Sequence, residues 1–446
     1  MHKPIPRELY PRTNDRQHQS SCTRLTLTPL PTWLWYTPAS MGQHRRNVTK
    51  SRRESSLSPP QRSGRPPTQD YELITDDNRF RQVIKRVSKE PRVAFDLESN
   101  GFFRYPERIC LIQLFASGRV YLIDPLAIDD MSPLGEVLSS PAVETVLHSG
   151  DHDIRSLDRD WGFHAGNLFD TSIAAAFVGS ERLGLASTLQ DFMGIEIPKE
   201  KSIQRSDWSI RPLSDAALTY AAGDVLHLFG LRDKLVERLG ALNRLHWVRE
   251  ECDRLAKIRY NPPDPELAVF AVKGSRDLDG HGLSILKALM EYREHHALRL
   301  GRPHFRVIPD AALLTLAAEP KSDLRDVRGL GMFARGWRGA GPPHAIKKGR
   351  AAQPLQRPRQ PRGRRLSRAE RAKAGQRLDK LRAWRTEHAK RLSLAVGLLW
   401  PMANLQRLAS FPDDLETELE APGIRQWQRE EFEESLRRLV DQEFRS

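Results

Sequence analysis

The stretch RVAFDLESNG, residues 92–101, has the apolar pattern of a buried strand but carries two acids inside it. Asp96 and Glu98 stand two residues apart. Because side chains alternate along a strand, both carboxylates leave from the same face. Like charges held side by side repel each other. The stretch therefore predicts either a cation at this face or a strand end whose acids are exposed to water.

The chain around this strand contains further strands and then helices. Apolar runs predict strands at 92–98, 109–116, 120–124 and 143–148. The first three follow one another through short turns, which favours an antiparallel meander. Helical stretches follow at 151–160, 170–178, 185–193 and 214–239. Strands followed by helices indicate a mixed sheet with helices packed on it, an α/β domain.

Two other segments carry acids that can join the first pair. LTYAAGDVLHLFGL (218–231) is an amphipathic helix that places Tyr220 and Asp224 one turn apart on one face. VLHSGDHDIRSL runs from a strand into a helix, with Asp151 and Asp153 in the first helical turn. Acids at a helix start often cap it and favour its dipole, and we expect this role for Asp151.

Three or four carboxylates that converge on one point suit hard divalent cations, Mg²⁺ or Mn²⁺. Two such ions about 4 Å apart form a site for phosphodiester hydrolysis. A tyrosine one turn from a ligand can orient the attacking water. Each of these elements is common on its own, so the prediction depends on their order and spacing together.

The C-terminal part of the chain repeats itself. LMEYREHHALRL (289–300) matches LRAWRTEHAKRL (381–392), and PDAALLTLA (309–317) matches PMANLQRLA (401–409). Both pairs are separated by 92 residues, and a proline and a glycine keep the same offset. One offset over four features indicates an internal duplication of a small helical domain.

Positive charge is concentrated in two segments. Residues 1–65 hold 12 Lys and Arg against 3 Asp and Glu, and residues 335–377 hold 14 against 1. These segments contribute +9 and +13 to a total of +14, which leaves −8 for the rest of the chain. Acidic folded domains joined to basic flexible segments are typical of an enzyme that acts on nucleic acid. The alternative is that the Arg-rich stretches are only solvated linkers.

The remaining composition limits the class of protein. Residues 1–70 lack periodicity and predict disorder, and translation that begins at Met41 would leave the first 40 residues outside the protein. No apolar run is long enough for a membrane span. Cys22, Cys110 and Cys252 are too far apart for a CxxC zinc site or a disulfide framework. A reducing, cytoplasmic location is therefore expected.

The order DLE, HSGDHD and YAAGD resembles the three motifs of the DEDDy 3′–5′ exonucleases, and most closely those of the ribonuclease D family. ICLIQLFASGRVYLIDPL (109–126), LFDTSIAAAFVG (168–179) and KSIQRSDWSIRPLSDAALTYAAGDV (201–225) support the resemblance. The duplicated helical part resembles the tandem HRDC domains of that family. The resemblance covers roughly residues 71–446 and implies a ribonuclease H-like exonuclease domain followed by two small all-α domains.

The domain organisation expected from the resemblance has six parts. They are a disordered basic extension (1–70), a DEDDy 3′–5′ exonuclease domain (71–245), a connecting segment (246–280), a first HRDC domain (281–335), a basic linker (336–377) and a second HRDC-like domain (378–446). The linker is longer and more basic than the family leads one to expect, and we interpret it as an aid to non-specific RNA binding.

The resemblance also implies roles for individual residues. Two divalent ions would be held by four carboxylates, and a tyrosine would position the water: Asp96, Glu98, Asp153, Asp224 and Tyr220. Further candidates would contact the substrate: Asn100, Phe102, His148 and Arg211. For His148 a structural role is an equal alternative, and Trp208 is expected to anchor its loop.

The predicted function is a metal-dependent 3′–5′ exoribonuclease that releases nucleoside 5′-monophosphates. By resemblance, the substrates would be tRNA precursors and other small structured RNAs. A DNA-directed exonuclease on the same fold stays open, because the four acids do not contact the sugar and the 2′-OH contacts cannot be located. A non-catalytic RNA-binding protein is disfavoured, because all four acids and the tyrosine are present. Neither a membrane nor a protein partner is indicated.

Overall fold

The computed structural model describes residues 71–198, 200–335, 341–358 and 364–444. Within these ranges, six strands form one mixed sheet. They are β1 (Tyr71–Ile74), β2 (Arg92–Ser99), β3 (Ile109–Ala116), β4 (Arg119–Ile123), β5 (Glu144–Leu147) and β6 (Leu168–Asp170). The expected disorder of residues 1–70 and the start at Met41 lie outside the described residues.

The strands lie in the order β1-β4-β3-β2-β5-β6. β3 runs antiparallel to β2 and β4, which confirms the predicted meander, and the other neighbouring pairs are parallel. The mixed sheet expected from the sequence is therefore present. The sequence analysis did not predict β1 and β6, which are only 4 and 3 residues long.

Nine helices of the described residues belong with the sheet, and together they form the sheet domain (residues 71–256). They are α1 (Asp77–Val87), α2 (Ser132–Ser139), α3 (Asp151–Trp161), α4 (Thr171–Phe177), α5 (Leu185–Met193), α6 (Lys201–Gln204), α7 (Asp215–Leu226), α8 (Leu228–Ala241) and α9 (Leu245–Ala256). The predicted helix 214–239 is thus two helices that meet at His227. The break lets α7 lie on the sheet while α8 packs on α4 and α5.

The two faces of the sheet bury different helices. Val93, Phe95 and Leu97 of β2 pack with α1 and α2 on one face. Ala94 lies on the opposite face, in a cluster with the small side chains Ala217 and Ala221 of α7. Because alternate residues share a face, the acids that follow Ala94 at intervals of two also point towards α7.

The rest of the described chain is helical. The first helical domain (residues 265–351) contains α10 (Pro265–Ala271), α11 (Gly280–Leu300), α12 (His304–Val307), α13 (Asp310–Ala318) and α14 (Pro342–Ala351). The second helical domain (residues 368–444) contains α15 (Arg368–Leu392), α16 (Val396–Leu399), α17 (Met402–Ser410), α18 (Leu415–Leu419) and α19 (Gln426–Glu443). Short 3₁₀ turns lie at Ser275–Asp277, Gly331–Arg335 and Pro412–Asp414. Across the described ranges, none of the helices has both the length and the apolarity to cross a membrane.

The duplication predicted from the sequence extends to the helix bounds. α12 and α16 are separated by 92 residues, and so are α13 and α17. At the same offset, α14 corresponds to the last part of α19. It is thus the final helix of the first repeat.

The interpretation of residues 336–377 as a linker is therefore wrong over α14. This helix buries Ala345 and Ile346, and its Gly349 lies so close to α11 that an added Cβ would stand 2.5 Å from the Cα of Ile285. Its basic residues, which include Lys347, lie among these apolar positions and gave the segment the composition of a solvated linker.

The second helical domain shares a hydrophobic core with the sheet domain. The Trp427 ring is stacked on Trp247 with ring centroids 4.7 Å apart, and it meets the edge of Phe177 at 5.2 Å. At the border of this core, the Arg425 guanidinium lies 2.7 Å from a Glu251 carboxylate oxygen. Apolar packing and a partly buried ion pair thus fix this domain on the sheet domain.

Candidate active site

The first two acids project from the end of β2. Asp96 lies opposite Gln113 of β3 and Glu98 lies opposite Leu111, and the register shifts by a β-bulge directly after Glu98. Both acids are half-buried. The pleat therefore places two carboxylates on one face, at the point where the strand stops pairing regularly.

α7 brings the second pair to that face. The helix begins at Ser214, whose hydroxyl accepts a hydrogen bond from the amide of Ala217, and its small residues allow a close approach to the sheet. Tyr220 and Asp224 lie one turn apart, and burial together with the charge of Asp224 raises the pKa of the Tyr220 hydroxyl above its usual value. The two residues therefore form one unit on the side of α7 that faces β2.

Asp153 joins the cluster from the first turn of α3. This helix follows β5, which is the parallel neighbour of β2, so its start lies beside the end of β2. Asp153 is buried. Asp151 does not cap this helix, as the sequence had led us to expect, but pairs with Arg155 at 3.0 Å.

The four carboxylates perturb one another. Burial raises the pKa of Asp96 to about 7. Burial also raises the pKa of Glu98 well above its usual value, and the charges of Asp96, Asp224 and Asp153 raise it further. The pKa values of Asp153 and Asp224 are raised by burial and by Asp96. A cation bound among the four carboxylates would neutralise their charge, and it would thereby remove their mutual repulsion and offset the cost of burying them.

The donor set fits a divalent cation by its chemistry. All four groups are carboxylates, the ligands that Mg²⁺ and Mn²⁺ prefer. Within the described ranges, no three His, Cys, Asp or Glu side chains close on one point at coordinating distances. The fit therefore rests on the type of donor and on the mutual repulsion, and not on a preformed coordination sphere.

Asn100 and Phe102 lie on the loop that follows β2, hereafter the post-β2 loop (residues 100–108). Asn100 is buried, and its side-chain oxygen accepts a hydrogen bond from the amide of Arg108 at 2.8 Å. Its own carbonyl accepts the amides of Phe103 and Arg104. Phe102 has 63% of its surface exposed. Asn100 thus holds the loop closed, and Phe102 is free for contact with a ligand.

His148 occupies a structural position. Burial lowers the pKa of His148, so its imidazole is neutral. The Nε2–H group donates to the carbonyl of Leu183 at 2.7 Å, and Nδ1 lies 2.9 Å from the Thr171 hydroxyl. With both ring nitrogens engaged by the protein, His148 is unsuited to binding substrate, and the structural alternative is favoured.

Arg211 is not available for a phosphate. Its guanidinium binds Asp124 through two hydrogen bonds, at 2.5 and 2.7 Å. Its other N–H groups donate to the carbonyls of Cys110, Trp208 and Ile210. The fully buried Trp208 anchors the same loop. The sequence-based role of Arg211 as a substrate contact is therefore wrong, because all five donors are used inside the protein.

Two supporting acids escaped the sequence analysis. Asp170 is buried behind the start of α3, where it accepts the amides of Ser149 and Gly150 and also caps α4. The stretch DTS at the start of α4 is a helix-capping signal that could have revealed Asp170.

Glu107 is the second acid, and it is partly buried, which opposes its charge. Hydrogen bonds from His152 and Ser99 and the charge of Arg159 nevertheless lower its pKa to about 2. No local pattern marks Glu107.

Comparison with known proteins identifies relatives along most of the chain. A family model described as 3′–5′ exonuclease matches residues 71–240. Ribonuclease D of Gluconacetobacter diazotrophicus is 32% identical over 375 residues, which cover 83% of this chain and 92% of the relative. Ribonuclease D of Granulibacter bethesdensis is 33% identical over 366 residues, which cover 81% and 90%.

Solved structures share the fold. The chain superposes on Escherichia coli RNase D, described as an exoribonuclease involved in structured RNA processing, with a TM-score of 0.62 and 24% identity. This match covers 83% of this chain and 99% of the other. A protein from Bifidobacterium adolescentis gives a TM-score of 0.69 at 24% identity and covers 83% and 97%.

Proposed function

The chain belongs to the ribonuclease D family, and from this premise we propose that its four clustered carboxylates and Tyr220 catalyse its reaction. The chain is a 3′–5′ exoribonuclease. The observation that supports the site is electrostatic. Carboxylates from β2, α3 and α7 lie close enough to raise one another's pKa within one half-buried cluster.

The catalytic residues are proposed as Asp96, Glu98, Asp153, Asp224 and Tyr220. Divalent cations held by the four carboxylates, Mg²⁺ or Mn²⁺, would supply positive charge to the phosphate and to its attacking and leaving oxygens. Tyr220, one turn from Asp224 on α7, would hold the attacking water in line with the phosphorus. Water adds to phosphorus, the bond to the 3′-oxygen breaks, and that oxygen takes up a proton. The product is a nucleoside 5′-monophosphate.

We propose that the substrates are RNAs with single-stranded 3′ ends, and tRNA precursors and other small structured RNAs among them. The Escherichia coli relative is described as acting in structured RNA processing. We assign the two helical domains as HRDC domains, on the basis of their duplicated helices. The basic residues of α14 and of the segment that follows it would strengthen RNA binding in a salt-dependent manner. A cytoplasmic location fits the two free thiols, Cys110 and Cys252, in the described chain.

The test compares the wild type with Asp153→Asn on a 5′-labelled RNA that has a single-stranded 3′ tail, in excess Mg²⁺. Asp151→Asn is the matched control, because it makes the same change two residues away, at a residue paired with Arg155. We expect a ladder that shortens from the 3′ end with the wild type and with the control. Asp153→Asn should be slower by about 10²-fold or more.

A DNA oligonucleotide of the same sequence, with deoxyuridine at each uridine position, tests the alternative substrate, since only the 2′-OH then differs. Faster degradation of the DNA would replace the proposed substrate class. RNA that is bound but stays intact with the wild type would refute the catalytic assignment. Equal activity of Asp153→Asn and the wild type would remove Asp153 from the site.

A further inference from the structure

The first helical domain is fastened to the post-β2 loop. The Tyr105 hydroxyl donates to a Glu294 carboxylate oxygen at 2.8 Å, and the Tyr105 amide donates to the carbonyl of Gly301 at 3.2 Å. The Tyr105 ring also lies against His304, with ring centroids 4.5 Å apart. The loop that begins at the active-site end of β2 is therefore held against α11 and α12.

A cation and aromatic rings lie beside this attachment. The Arg306 guanidinium is 4.4 Å from the ring centroid of Phe103 and 5.9 Å from that of Phe305. Phe305 has 55% of its surface exposed, and Phe102 on the neighbouring loop has 63%. These two rings are the most exposed aromatic side chains among the described residues, and both lie beside the same attachment.

Arg306 differs from other arginines of the same domain. Arg293 pairs with Asp310, and Arg325 pairs with Asp323. Among the described residues, no acid pairs with Arg306, whose contacts are with aromatic rings. Its charge is therefore available to an anion, and its planar group is already oriented by Phe103.

We propose that Phe305 and Arg306 of the first helical domain, with Phe102 of the post-β2 loop, form a platform for single-stranded RNA. It would bind the nucleotides on the 5′ side of the one being removed. Bases stack on exposed aromatic rings, and a guanidinium binds a phosphate. Phe102 lies four residues after Glu98, and the neighbouring Phe103 contacts Arg306 of the helical domain, so the platform would extend from the end of β2 onto that domain. The inference rests on the proposed exoribonuclease site.

The test uses two substrates of different length. One is a single-stranded 12-nucleotide RNA, and the other is the p-nitrophenyl ester of uridine 5′-monophosphate, which has no nucleotide on the 5′ side of the scissile bond. For the double variant Phe305→Ala, Arg306→Ala we expect KM for the 12-mer to rise about 10- to 100-fold, with kcat unchanged. Hydrolysis of the ester should equal that of the wild type.

Two further variants sharpen the result. Arg325→Ala removes the same charge from a turn of the same domain and should leave KM unchanged. Arg306→Lys keeps the charge but loses the planar group, so its KM should lie between those of the wild type and the double variant. All variants change exposed side chains, and thermal unfolding checks their folding.

An unchanged KM for the 12-mer would overturn the platform, and so would an equal loss on both substrates. The Kd of the 12-mer, measured in EDTA by fluorescence anisotropy, separates the platform from catalysis. If the wild type cleaved neither substrate, the proposed function would fail. A weaker Kd in the double variant would then still support the platform, and an equal Kd would refute it.

Discussion

Replacing Arg211 with alanine should destabilise the sheet domain and leave RNA binding by the folded enzyme unchanged. In the wild type this side chain donates two hydrogen bonds to Asp124 and three to the carbonyls of Cys110, Trp208 and Ile210. It thereby joins the loop before α7 to the end of β4. The substitution removes all of these bonds at once.

The expected magnitude follows from the burial of the partner. Asp124 is 5% exposed, so the variant leaves its charge with little access to water. Breaking a buried ion pair by removing one member costs about 3–5 kcal/mol. Asp124 keeps a hydrogen bond from the amide of Leu126, and the Arg211 side chain is 29% exposed, which favours the lower end. A loss of about 3 kcal/mol corresponds to a decrease in Tm of roughly 6–12 °C for a domain of this size.

The assay combines thermal unfolding with steady-state kinetics on a short RNA below the unfolding transition. Arg205→Ala is the matched control, because it removes an exposed arginine from the same loop region. Asp124→Asn should lower Tm as well, and the double variant with Arg211→Ala should lose less than the two single variants added together. If Arg211→Ala had an unchanged Tm and a tenfold higher KM for RNA, the assignment of this residue to structure would be wrong.

Three further perturbations test other parts of the structure. Glu107→Gln should lower the free energy of unfolding by about 2 kcal/mol at pH 7. The pKa of Glu107 in the folded state is held at about 2, so the difference in unfolding free energy between wild type and variant should persist above the ordinary pKa of a glutamate and shrink as pH falls from about 5 towards 2. Urea unfolding at pH 7, 4 and 3 measures this difference. A difference that grew on acidification would contradict the predicted sign. Gly349→Ala should lower the free energy of unfolding by about 1–3 kcal/mol, because the new Cβ would overlap the backbone at Ile285. The control Gly375→Ala, in a helix with open space around the glycine, should raise it by up to about 1 kcal/mol. Equal effects of the two variants in urea unfolding would show that α14 is not packed against α11. Trp427→Ala should lower the free energy of unfolding by about 3–5 kcal/mol, because this fully buried ring packs between the second helical domain and the sheet domain. Limited proteolysis of the variant should then release the second helical domain. A digestion pattern equal to that of the wild type would refute this prediction.

The two pairs of residues that meet in the carboxylate cluster could be predicted from the sequence because each pair lies within one element. A period of two places Asp96 and Glu98 on one face of β2, and a period of 3.6 places Tyr220 and Asp224 on one face of α7. The 92-residue offset also predicted the repeated helices, because duplicated sequence folds into duplicated local structure.

Other expectations failed where a local pattern had two interpretations. A guanidinium near a predicted site suits a phosphate or an internal carboxylate, and only the position of Asp124, directly after β4, decides for Arg211. A basic segment suits a solvated linker or an exposed helix face, and only the contact with α11 reveals α14. In both cases the deciding partner is distant in the sequence.

The convergence of the acids themselves is a property of the tertiary structure. Asp153 reaches Asp96 because β5 is the parallel neighbour of β2, and α7 reaches both because the chain bends at His227. Strand order, helix breaks and domain docking depend on long-range packing, which no local pattern encodes. The sequence by itself therefore determined which residues share a strand or helix face and the chemistry they offer. Only the tertiary structure decided which of those faces meet, because the energy of their meeting comes from burial between segments far apart in the chain.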